Sequence, residues 1–165
     1  MNFVLMSIHK RHADNILDGL KDLELRKTAP ETPCVLFLYE TKNGDGAGAV
    51  VGMAICHSVL TIRRESSPPW SGRNVALAKR ACITTEDFEK YLGYGTLRAL
   101  ELEKALRFNP PIELKFFGLE RAPQSWQYIR QQPREGGANM SNSVIITLII
   151  CITVIIICTQ SGKTK

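Results

Sequence analysis

The chain has 165 residues, 44% hydrophobic and 22% charged, which suits one domain with a core plus an appendage. A formal charge of +5 and a pI near 9.0 leave room for an anionic partner. The five cysteines, Cys34, Cys56, Cys82, Cys151 and Cys158, form no C-x-x-C pair, which excludes a disulfide framework and fits reduced thiols in a cytoplasmic domain.

No leader pattern opens the sequence; residues 3–8 are apolar enough for a buried central strand. Residues 9–20 place Ala13, Ile16, Leu17 and Leu20 at helical spacing, and Gly19 falls where such a helix stops. The period then changes to two, with Leu23 and Leu25 on one face and Asp22, Glu24 and Arg26 on the other. Residues 28–33 are a proline-bearing loop, and 34–40 a strand with Phe37 and Tyr39. Asn43 and Gly44 mark a turn before a long strand over 49–62, in which Gly52 signals a bulge. Residues 63–80 read as an exposed basic loop, with Arg63, Arg64, Arg73, Lys79, Arg80 and Trp70, and a short helix from Asn74 on. Thr84 caps a helix to about Leu92, with Glu86 and Asp87 in its first turn. Leu97, Leu100, Ala105 and Leu106 predict another helix over 96–108, stopped by Pro110 and Pro111. Residues 112–117 then alternate as a strand, and 124–129 form a last short element.

After a polar linker over 131–143, residues 144–158 run without a charge. Taken as 144–159, this segment predicts a membrane helix; an aggregation-prone β segment or a buried strand are the alternatives. The abrupt join and Met140 also fit a segment fused onto the domain.

Lys21, Glu24 and Arg26 are the candidate site. Glu24 and Arg26 lie roughly 7 Å apart along a strand, close enough to meet or to reach one ligand. Lys21 at the helix–strand joint can lean toward them. Such a trio can bind a base or phosphate: the carboxylate accepts from an exocyclic amine, and the guanidinium stacks or forks. The plainer reading is a solvated strand face with a surface ion pair. His9 and His12 invite a zinc reading with Cys34 or Cys56, but the cysteines sit unpaired in apolar strands, so no metal is expected. No cofactor is expected either, because no phosphate-cradling loop with its lysine and helix is present.

The pattern Gly19-x-Lys21-x-x-Glu24-x-Arg26 after a short helix resembles the signature of the ASCH family. The likeness spans about residues 2–129 and includes the closing stretch 120–126, from Glu120 to Trp126. It implies an α+β domain over 1–130, a small PUA-like β-barrel with flanking helices, that binds RNA or a modified nucleotide or nucleoside. On that reading Lys10, Lys21, Glu24, Arg26, Tyr39, Arg63, Arg64, Arg121 and Trp126 line the nucleic-acid site. Some members deacetylate N4-acetylcytidine with a lysine, a threonine three residues later and a distant glutamate. Lys21 matches that lysine, Glu24 stands where the threonine would be, and neither Glu86 nor Glu120 lies in a matching motif. The expected function is therefore a non-catalytic RNA or nucleotide binder. The alternatives are an amidohydrolase using Lys21 and Glu24, and an interaction module anchored to a membrane through 144–159.

Overall fold

The computed structural model describes residues 1–64 and 72–129. In it six strands, β1 (Asn2–Ile8), β2 (Leu23–Arg26), β3 (Cys34–Glu40), β4 (Val50–Arg63), β5 (Thr96–Ile112) and β6 (Trp126–Tyr128), form one sheet in the order β2-β5-β4-β3-β1-β6. β1 and β3 are parallel neighbours, and every other adjacent pair is antiparallel. Helices α1 (Lys10–Leu17), α2 (Gly72–Arg80) and α3 (Thr85–Leu92) complete an α+β architecture.

The uninterrupted apolar runs of β1 and β3 follow from burial on both faces. Val4, Met6, Ile8, Leu36 and Leu38 join Ala13 and Ile16 of α1 in one core. Leu5, Val35, Phe37 and Tyr39 point the other way, into a core with Met53 and Phe117. A separate core unites Leu23 and Leu25 of β2 with Ile62, Leu97 and Ala99, under Leu77 of α2 and Phe88 and Leu92 of α3. β4 serves all three because it bends, with register shifts at Val50/Gly52, Met53/Ile55 and Cys56/Ser58. At Gly52 an added Cβ would sit 2.5 Å from both the Leu106 carbonyl oxygen and a Leu17 methyl, so glycine is what lets β5 and α1 approach β4.

α1 ends as its sequence predicts: Gly19 takes φ +74°, the left-handed turn a Cβ resists. Thr84 caps α3, its hydroxyl accepting from the Asp87 N–H at 3.0 Å. Two predicted elements are corrected. Residues 96–108, expected as a helix, are strand, because β5 fills the sheet between β2 and β4 and is buried on both faces at Ala99 and Leu100. The strand expected over 112–117 is the end of β5 followed by a 3-10 turn, Leu114–Phe117, closed by Gly118 at φ +70°. The basic loop also carries more helix than expected, α2 beginning at Gly72. Among the described residues no helix is long and apolar enough to cross a membrane. The membrane helix expected over 144–159 and Trp70 of the basic loop lie outside the described residues.

Although β2 and β6 stand at opposite ends of the strand order, the sheet curls so that side chains join them. Trp126 Nε1 donates to Thr28 Oγ1 at 3.1 Å, and the Glu31 N–H donates to the Tyr128 hydroxyl at 2.9 Å. The remaining link between the ends is the candidate site itself.

Candidate functional site

β2 is half apolar and half ionic. Leu23 and Leu25 enter the helical core, which turns Glu24 and Arg26 to the opposite face, where Glu24 lies opposite Leu100 in register. After the Gly19 turn the N–H groups of Leu20 and Lys21 both donate to the Asn15 carbonyl, at 2.8 and 2.9 Å. That fold-back brings Lys21 beside α1. Its Nζ lies 2.8 Å from Glu24 Oε2 and 3.3 Å from His12 Nδ1. Arg26 Nε donates to Glu24 Oε1 at 2.9 Å. The guanidinium also donates to the Ser7 carbonyl at 2.8 Å and the Ser125 hydroxyl at 3.4 Å, which ties β2 to β1 and to the segment before β6. Ser7 is fixed in turn, its hydroxyl donating to the Pro123 carbonyl at 2.6 Å and its N–H to the Ser125 carbonyl at 2.9 Å.

The ion cluster is buried, not a solvated strand face: side-chain exposure is 4% for Lys21, 7% for Glu24 and 14% for Arg26. Burial pushes the Glu24 carboxyl up, but the opposing charges of Lys21 and Arg26 outweigh it and hold the group below its ordinary range. His12 is held below the usual imidazole range by burial first and by the Lys21 charge second. The cluster thus sets two cations against one anion, an excess that favours an anionic group. Glu24 Oε2 is buried, and among the described residues Lys21 Nζ, 2.8 Å away, is its charged partner. It retains acceptor capacity for a ligand N–H.

The other expected site residues are dispersed. Tyr39 is 8% exposed in the core with Phe37 and Phe117, because the apolar alternation of β3 carries it inward, so it offers little face to a base. Lys10 pairs with Asp14 at 3.0 Å along α1, and Arg121 is exposed in the segment before β6. Arg63 and Arg64 stand where β4 finishes, at the sheet end that Arg26 and Arg98 share. Trp126 packs against the α1 core and stands at the seam beside the cluster. Glu86 and Glu120 are exposed. Cys34 and Cys56 are buried free thiols opposite one another on β3 and β4. His9 faces Thr41, and among the described residues no three His, Cys, Asp or Glu side chains converge on a metal position. Ser7 and His12 are the cluster members that sequence reasoning missed. Each holds its partner across a turn or a strand crossing, and no local spacing signals that.

No protein-family model and no curated protein matches this chain. Solved structures do. ASCH from Zymomonas mobilis superposes with a TM-score of 0.66 at 17% identity, covering 89% of this chain and 95% of that one. A serine-to-alanine variant of the same protein gives 0.64 at 16% identity, covering 89% and 96%. A tyrosine-to-phenylalanine variant gives 0.64 at 16%, covering 90% and 99%. The curled mixed sheet with its helices first defines the chain as an α+β domain. More narrowly, it has the fold of an ASCH protein.

Proposed function

We propose that the chain is an ASCH-type binder of RNA or of a modified nucleotide, acting without turnover through Lys21, Glu24 and Arg26. Glu24 accepts from an exocyclic amine or ring N–H, and Lys21 and Arg26 supply the charge that draws phosphate. Access runs from the Arg26 side, where exposure is greatest, and Ser125 and Trp126 form the rim. The observation that carries this reading is the buried cluster itself, two cations on one carboxylate that they hold below its ordinary range. Buried ion groups cost more than the apolar residues that could replace them, so their retention asks for a use.

The test is a thermal-shift and titration screen of the full chain against single-stranded RNA, double-stranded RNA and a nucleoside panel that includes N4-acetylcytidine. Binding without turnover, weakened about tenfold or more by Lys21→Met, supports the reading. Hydrolysis of N4-acetylcytidine that disappears in Lys21→Met would replace it with an amidohydrolase.

A further inference from the structure

We infer that the end of the sheet where β2 and β4 finish and β5 begins is a docking track for single-stranded RNA, leading away from the Lys21–Glu24–Arg26 cluster. The inference deepens the proposed function and rests on it. Strand register brings the pieces together: Arg26 lies opposite Arg98, Arg98 opposite Thr61, and Arg63 opposite Thr96. The turn after α3 is fastened to the same end. Lys27 donates to the Tyr91 carbonyl at 2.5 Å, and Arg64 donates to the Gly93 carbonyl at 3.0 Å.

Two independent features mark this end. The first is unmatched charge. Segments 26–29, 61–64 and 90–98 hold Arg26, Lys27, Arg63, Arg64, Lys90 and Arg98, and no aspartate or glutamate. Several cations elsewhere face carboxylates: Lys10 meets Asp14, Arg80 meets Asp22 and Glu101, and Arg107 meets Asp14 and Asp18. Here Lys27 and Arg64 meet carbonyls and Arg98 meets the Thr61 hydroxyl; among the described residues none of the three reaches a carboxylate. Arg26 and Arg98 are like charges directly across one face, an unfavourable pair that phosphate would relieve. Of these two, Arg26 has Glu24 beside it and Arg98 meets no carboxylate among the described residues.

The second feature is aromatic. Tyr94 is 98% exposed between Gly93 and Gly95, and Tyr91 is 41% exposed. Lys27 Nζ lies 4.7 Å from the Tyr91 ring centre, and the Arg64 guanidinium 5.1 Å from that of Tyr94. Scattered exposed rings are ordinary. Rings set among unmatched cations, next to a candidate nucleotide site, are the parts of a single-strand platform: bases stack on the rings and phosphates meet the cations.

The test is fluorescence anisotropy of the full chain with a mixed-sequence single-stranded RNA of about ten nucleotides and with a dinucleotide, over a salt series. Tyr94→Ala should weaken the longer RNA about fivefold or more and Tyr94→Phe should not, while the dinucleotide is held as tightly as by wild type. Arg64→Ser combined with Arg98→Ser should lower the salt slope of the longer RNA by about 1.4. Tyr94 is almost fully solvated, so its loss leaves packing intact. Wild-type affinity and slope in these variants would overturn the track; if Lys21→Met still weakened both ligands, the proposed function would stand without it. Binding of the dinucleotide alone would also overturn the track. Binding of an acidic peptide with loss in the Arg64→Ser, Arg98→Ser variant, and no binding of either RNA, would overturn it in favour of a protein partner.

Discussion

Glu24 is the residue on which the cluster balances. Glu24→Gln leaves two buried cations without a counter-charge, and the predicted cost is about 3 kcal/mol, read from urea midpoints. Lys21→Met should cost less, because Glu24 keeps Arg26 as its partner. Acid should act in two stages. His12 is held below its ordinary value of 6.5, so the unfolded chain takes a proton that the fold refuses, and stability falls as pH drops below about 6.5. Glu24 is held below its ordinary value of 4.5; its contribution is present above about pH 4.5 and is lost as pH falls through the folded value. His12→Gln should flatten the first stage and leave the second, as followed by circular dichroism across pH. Lys21, Glu24 and Arg26 were legible because a helix stop and one strand face hold them within six positions of one another. Ser7 and His12 were not, since Ser7 reaches Arg26 from β1 across a separation of 19 residues and His12 reaches Lys21 across 9, through the turn after α1.

At the scale of elements, the reading failed where composition opposed topology. β5 is rich in leucine, alanine, glutamate and arginine, which favour a helix locally. A strand buried on both faces also hides its period, since Leu97 and Ala99 enter one core while Leu100 and Leu102 enter another. Pairing with β2 and β4 decides the outcome. The misreading of β5 also hid the basic track, because Arg98 faces Arg26 only when both are strand residues. By contrast, α1, the capped α3 and the Gly52 bulge follow rules that act within a few residues, and the sequence carried them plainly. Gly52→Ala should cost about 2 kcal/mol by forcing a Cβ against the Leu106 carbonyl. Thr84→Ala should cost about 1 kcal/mol through loss of the α3 cap. Thermal midpoints of the two variants check both values.

For the whole molecule, the organising fact is that side chains complete what the strand ladder leaves open. Arg26, Trp126 and Tyr128 span the two ends of the sheet, so the bond network that shapes the site also holds the domain's curl. Ligand binding and global stability are therefore coupled, and a ligand should raise the unfolding midpoint by mass action. Among the described residues the three cores reach as far as Ile129. We propose that the domain ends there: a chain ending at residue 130 should keep the unfolding midpoint of the full chain, as read by calorimetry. We propose that the apolar run 144–159 adds a membrane anchor: vesicle flotation should carry the full chain upward and leave the shortened one in solution. The measurement closest to the central claim is calorimetric titration of single-stranded RNA into the full chain beside Lys21→Met at matched pH and salt. Saturable binding that weakens about tenfold in the variant, with its fold intact, is the predicted result; equal affinity in both proteins, or no binding to either, would contradict the account.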